Sequence, residues 1–252
     1  MKLGRVKSKN DPRTLHIHNY VQMHTLPVPP AHDMVNRTRS WPMLANDKYN
    51  CCTSAAAGHM VHHWTEENRH NVFLTDIDVI QSHSKLTDNQ LLEPVSMLEA
   101  LKLWRNTGIG NHQIHSFLSA GHANPDHLRA IIFLFGGAYI GLDLPNFAFS
   151  GTPEEILSAN WKTDSSRSQV DAAPRIENGH CVAAIGFDEN SIYVVTWGML
   201  KPMSWDFFTT YNDEVFAVLS TDWVEKDRKS PSGFQLKTLE DDMSLATSQA
   251  AQ

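Results

Sequence analysis

The stretch Asn46–Trp64, NDKYNCCTSAAAGHMVHHW, sets two adjacent cysteines in front of a run of small, helix-favouring residues. Alanine has the best intrinsic helix propensity, and Ala56, Met60 and Trp64 recur every fourth position on one face, which predicts a helix over Thr53–Trp64. Cys52 then stands where that helix begins. Unpaired backbone N–H groups and the helix dipole favour negative charge there, so a thiol at this place gains thiolate character. Other readings compete. Cys52 can be a buried small hydrophobe. A vicinal disulfide with Cys51 demands a strained peptide. A zinc site from Cys51, Cys52, His180 and Cys181 needs adjacent ligands, which suit a tetrahedron badly, and no C-x₂-C spacing occurs. His59 and His63 stand four apart on the helix, but no glutamate follows the first and no third ligand is evident, so a solvated helix face is expected there.

The whole chain narrows these choices. Its 252 residues suffice for one large domain with a sizeable core, and 41% hydrophobic with 19% charged content is that of an ordinary soluble protein. A net charge of −7 without a long basic run argues against nucleic acid as a partner. The longest apolar run, AIIFLFGGAYIGL, is too short and glycine-broken to cross a bilayer, so no membrane partner is expected either. The opening residues carry charge but no apolar signal core. Three cysteines do not make a disulfide framework, and the expected compartment is reducing cytosol with free thiols. With neither a phosphate-binding loop nor a dinucleotide fingerprint, a reaction without cofactor is expected.

Outward from the cysteines, residues 1–40 are rich in Pro, His and Asn and read as an extended arm; LPVPPAHD within them cannot donate regularly to helix or sheet. EPVSMLEALKLWRNTG predicts a second helix, with Ser96 and Glu99 in a capping-box pattern, Met97, Leu98, Leu101 and Trp104 as its stripe, and Gly108 after its end. ANPDHLRAIIFLFGG predicts a third, capped by Asn124 with Pro125 in the first turn. After residue 136 the pattern turns to strands. AYIGLDLP is the first candidate, GHCVAAIGFDENSIYVVTWG reads as a hairpin turning at DENS, and EVFAVLSTDW reads as a strand at the end of the sheet. Residues 151–178 read as a long surface excursion and 226–252 as a polar, disordered tail, leaving 41–225 as the folded domain. Helices first and an antiparallel sheet after them make the class α+β.

A nucleophilic thiol needs an imidazole from elsewhere in the chain. Among the 14 histidines, His180 is the best placed, because it opens an apolar strand directly after a glycine, where a ring can face a cleft. Cys181 follows on the same strand and should face the other way, into the core. Asn46, on the loop into the helix, offers a side-chain amide to the oxyanion of a tetrahedral intermediate.

These pieces resemble the papain-like cysteine peptidases. The family shares the amide six positions before a cysteine that starts a small-residue helix, the later GH strand of apolar residues ending in glycine and an aromatic, and the following WG. More narrowly the chain is similar to a little-characterised bacterial and phage group of papain-like proteins, through NDKYNCCTSAA, WRNTG, FGGAYIGLDLP and TWGMLKPMSWDFFTTYNDE, over roughly residues 20–224. The resemblance implies a helical part carrying Cys52 and an antiparallel sheet or half-barrel carrying His180, on opposite sides of a cleft. It also places Trp197 over the histidine, shielding it from water and contributing to substrate binding.

Three positions depart from the pattern. Asn46 stands where most papain-like enzymes have the longer glutamine. The asparagine or aspartate that orients the histidine has no counterpart: counting back from Trp197 gives Val195, and counting on from His180 gives Thr196, a weaker acceptor. Cys51 replaces an acidic residue of the narrower group. The implied mechanism is attack of Cys52 thiolate on a carbonyl, with His180 as base and then acid and Asn46 with the Cys52 N–H holding the oxyanion, to give a thioester. Water as second nucleophile makes an amidase or peptidase acting on a peptide or small amide; an amine makes an acyltransferase or amide synthase on the same acyl substrate. A scaffold without its orienting residue can also be a catalytically inactive binding module. The arm either covers the cleft, as a propeptide would, or braces the domain.

Overall fold

A computed structural model describes residues 1–20, 26–32, 40–68, 72–220 and 222–223. The predicted polar tail lies outside these residues. The alanine-rich stretch forms helix α1 (Cys52–Glu67), beginning at Cys52 itself. Helix α2 (Asp76–Thr87) packs beside it, started by a capping box between Thr75 and Asp78. Helix α3 (Met97–Asn106) starts where the Ser96 hydroxyl accepts the Glu99 N–H, and α4 (Pro125–Phe135) where the Asn124 side chain accepts that of His127; Gly136, in left-handed backbone, ends α4. The excursion at 151–178 carries two short helices, α5 (Pro153–Ser158) and α6 (Gln169–Ala172).

Six strands build one antiparallel sheet: β3 (Ile114–Gly121), β4 (Ala138–Asp143), β5 (Gly179–Phe187), β6 (Ser191–Thr196), β7 (Met199–Ser204) and β8 (Asn212–Ser220), in the order β3-β8-β4-β5-β6-β7. The predicted hairpin is β5–β6. The last strand differs from expectation: β8 lies between β3 and β4, not at the sheet's end, because β3 supplies an outer partner that the sequence pattern does not announce. Short α7 (Trp205–Tyr211) leads into β8, and its Phe207, Phe208 and Tyr211 turn inward.

The sheet separates two cores. One gathers Leu128, Ile131 and Phe135 of α4 and Phe207 of α7 on Val182, Ala184 and Val194. The other gathers Cys52, Ala56, Met60 and Trp64 of α1 and Leu101 and Trp104 of α3 on Cys181, Ala183 and Ile185. Alternation along β5 therefore sends His180 and Cys181 to opposite faces, as expected. Helix α1 is buried all round, and this corrects the reading of His59 and His63 as a solvated face: Trp41 meets the His59 ring edge-on, Trp223 stacks near His63, and His59 Nε2 donates to the Pro42 carbonyl at 2.8 Å.

The opening residues are tied across both halves. Strand β1 (Arg5–Val6) pairs in parallel with β2 (Val95–Ser96), just before α3, and the chain then passes Lys102, which reaches Asp11 at 2.8 Å. Further on, His16 bridges Ser119 on β3, and His32 exchanges hydrogen bonds with Phe187 at the end of β5.

Candidate active site

Cys52 is the first residue of α1 and is 1% exposed. The backbone N–H groups of Cys52 and Thr53, free donors of the helix start, and of Cys181, the residue after His180, lie against its sulfur and favour the thiolate. The thiol thus packs against the start of β5 on its Cys181 face, with the His180 ring on the other face of the strand. The neighbouring cysteine points elsewhere: Cys51 Sγ lies 3.6 Å from the Leu44 carbonyl and packs among Leu44, Ala45, Ala55 and Val79. All three cysteines are free thiols, and among the described residues no three His, Cys, Asp or Glu side chains group as a metal site.

His180 is 0% exposed. Its Nε2 stands 2.7 Å from Thr196 Oγ1 across the β5–β6 hairpin. Of the two positions between which the sequence could not choose, Thr196 meets the ring, while Val195 turns to the α1 side. With the proton on Nε2 donated to the hydroxyl, Nδ1 carries the lone pair, and Nδ1 has no hydrogen-bond partner. Trp197 stacks on the imidazole with centroids 4.4 Å apart and planes at 19°. It does so from left-handed backbone, φ 47°, and the next residue, Gly198, is left-handed too. Trp161 meets the ring edge-on and is itself stacked on Phe207, so the imidazole is boxed by aromatics.

Asn46 is buried on the loop leading to α1, its amide donating to the Tyr49 carbonyl at 3.3 Å. That loop turns through left-handed Leu44 and Ala45.

The opening residues lie between the two sides. Lys2 N–H donates to the Asn46 carbonyl, Trp197 Nε1 donates to the Lys2 carbonyl at 2.8 Å, and Gly4 N–H donates to the Gly179 carbonyl beside His180. A Cβ on Gly4, at φ +131°, would sit 2.0 Å from the Asn50 carbonyl oxygen, which shows how tightly the segment is pressed between the cysteine loop and the histidine strand. Enclosure sets the protonation states. Burial pushes the Cys52 thiol up to about 12, against the pull of the N–H groups, and pushes the His180 imidazole down to about 3. In this closed arrangement thiol and imidazole are both neutral, and no hydrogen bond links them.

Sequence reasoning missed the partners of this segment. Arg5 is buried among Asp143, Asp213 and Glu214. The signals were present in LGR near the start, in the Asp of YIGLDLP and in the DE of YNDE, but only the fold brings them together.

Comparison with known proteins supports the architecture. No family model matches the chain, and no curated protein does. Among solved structures, the chain is similar to xylellain, a cysteine protease from Xylella fastidiosa, at TM-score 0.66 and 10% identity over 87% of this chain and 96% of that one. The fold is papain-like. Proteins similar at lower scores include proCathepsin B S9 from Trypanosoma congolense, at TM-score 0.56 and 9% identity over 87% and 86% of the two chains. Procathepsin L 3 from the larval midgut of Tenebrio molitor matches at 0.54 and 12% over 86% and 76%.

Proposed function

We propose that the protein is a cysteine-nucleophile hydrolase that cleaves an amide or peptide bond through a thioester on Cys52. The observation that carries this reading is a thiol at a helix start with the backbone N–H groups of Cys52, Thr53 and Cys181 against it, Cys181 being the residue after a histidine whose Nε2 is held by Thr196. Once the cleft opens and water enters, the desolvation that keeps both groups neutral is relieved, and the helix start favours the thiolate. His180 Nδ1 takes the thiol proton and later gives it to the leaving amine; Thr196 keeps the ring in that tautomer. Sulfur attacks the carbonyl carbon, and the Cys52 N–H with the second N–H of the Asn46 amide holds the oxyanion. Water then releases the acid from the thioester.

The opening residues occupy the place where a substrate main chain would lie, so the closed form is latent. Two of the similar structures are, by name, proenzymes. The reading is tested by incubating the protein with a mixture of peptide amides, quenching in acid and weighing the intact chain. An added acyl mass that maps to Cys52 and vanishes in Cys52→Ser is expected. Absence of any adduct, together with equal and slow iodoacetamide labelling of Cys51, Cys52 and Cys181, in Gly179→Ala as well as in wild type would overturn it, since an alanine Cβ at 179 would lie 2.2 Å from the Arg5 carbonyl oxygen and displace the opening segment.

A further inference from the structure

The reading above leaves one built feature without a role: a pocket of three carboxylates beside the histidine strand, filled by an arginine. Asp143 ends β4, where it pairs in register with Gly179, the residue before His180; Asp213 and Glu214 open β8, the other neighbour of β4. Arg5 Nη2 reaches Asp143 Oδ1 at 2.5 Å, and Nη1 reaches Glu214 Oε1 at 2.8 Å and Asp213 Oδ1 at 2.9 Å. The guanidinium fork therefore spans carboxylates on two strands, a geometry that suits arginine's planar set of donors and that a single ammonium cannot reproduce.

Arg5 is 3% exposed, yet it is borne on a two-residue strand whose other residue, Val6, is exposed. Its main chain is held by peptide-to-peptide bonds alone in kind: Val95 N–H to the Gly4 carbonyl, Gly4 N–H to the Gly179 carbonyl, and the β1–β2 pairing. Any extended peptide could make such bonds, so the side chain supplies the selectivity. Gly141 keeps the pocket deep, since a Cβ there would meet Met97 Sδ at 2.7 Å and Arg5 Cδ at 3.1 Å. The occupant does not exhaust the pocket. Arg5 Nε has no hydrogen-bond partner, and neither Asp213 oxygen is in hydrogen-bonding geometry, although Oδ1 is at ion-pair distance from Arg5 and Oδ2 from Lys7. Lys7, at 3.7 Å from Asp213 and mostly exposed, is the other cation against the cluster. When the segment lifts away, buried carboxylates are left unpaired, and such a site draws a cation back in.

We propose that this pocket selects the substrate: the protein acts on peptides carrying arginine within two residues of the reacting carbonyl, and Asp143, Asp213 and Glu214 are its specificity-determining residues. The proposal rests on the hydrolase reading for the reaction, but the pocket's preference can be measured without turnover. The full chain with Arg5→Ala empties it. Nα-acetyl-arginine methylamide should then raise the melting temperature of Arg5→Ala in a saturable way, while the citrulline analogue, equal in shape and uncharged, should not, and wild type, already filled, should respond to neither. Glu214→Gln in the Arg5→Ala background should weaken the response at least tenfold in ligand concentration. Should Arg5→Ala not fold, Arg5→Gln, which keeps the methylene stem, serves in the same titration. Equal shifts with arginine and citrulline, or none with either, would overturn the proposal and mark the cluster as a staple for the segment only. Cleavage of a peptide mixture by the same variant gives the second readout, with arginine enriched at least tenfold near the cut. Cleavage without that enrichment overturns the pocket's role and leaves the hydrolase reading intact. Arginine binding with no acyl adduct on Cys52 does the reverse.

Discussion

Thr196 shows how much rests on one side chain. Its hydroxyl is the partner of His180 Nε2, in a place where both atoms are shut away from water. Thr196→Val keeps the shape and removes the acceptor, leaving a buried N–H unpaired; such a loss costs about 1–3 kcal/mol. Urea unfolding should report that loss, and acylation of Cys52 should slow at least tenfold because the ring is no longer held in the tautomer that frees Nδ1. A variant with unchanged stability and unchanged acylation would show that the contact does nothing for either. Thr196 was half legible in the sequence. Two ways of counting gave adjacent residues, and on a strand adjacent residues face opposite sides, so only the pairing register of β5 with β6 decides between them. The placement of Cys52 at a helix start and of Asn46 on the loop before it was readable because helix onset and loop polarity are local signals. Arg5, Asp143, Asp213 and Glu214 were not, since each looks like an ordinary surface charge until β4, β8 and the opening segment come together.

Among elements, the best-read ones carry their own start and stop signals. Asn124, Pro125 and Gly136 bracket α4, and Ser96 starts α3. Strand β3 was lost because NHQIHSFLSAG mixes polar residues on both faces and is interrupted by bulges, so neither alternation nor an apolar run stands out. Missing β3 put β8 at the edge, because strand order is a long-range property that hydrophobic pattern does not encode. At this scale the latency of the site is also testable. Gly179 has φ −59°, which alanine adopts without strain, but a Cβ there would lie 2.2 Å from the Arg5 carbonyl oxygen. Gly179→Ala should therefore push β1 off the start of β5 and leave the chemistry of the pair untouched. Iodoacetamide near pH 7 should then modify Cys52 at least tenfold faster than in wild type, with Cys51 unchanged. Unaltered labelling of Cys52 would mean that something other than the opening segment protects the thiol.

For the molecule as a whole, burial of titratable groups fixes a window of stability. Burial pushes His180 down to about 3 and His59 to about 4, and lowers His62 and His83 as well. Unfolded, these imidazoles take up protons near the ordinary value of about 6.5. Between there and the folded values, the unfolded chain binds more protons than the folded one, so stability is full above about pH 6.5 and declines as pH falls. The thiols act in the opposite sense. Burial raises Cys51, Cys52 and Cys181, so above about pH 8.5, where free thiols ionise, the unfolded chain loses protons that the fold retains, and stability declines again. The urea midpoint should thus be flat from about pH 7 to 8 and fall on both sides. His180→Gln should flatten part of the acid limb, and Cys181→Ala part of the alkaline one, each measured against its own value at pH 7.5. A midpoint that stays constant down to pH 5 would mean that the buried imidazoles gain a proton without leaving the fold. In that case the aromatic box around His180 would have to open in the folded state, and acid alone would admit water to the cleft that the opening segment closes.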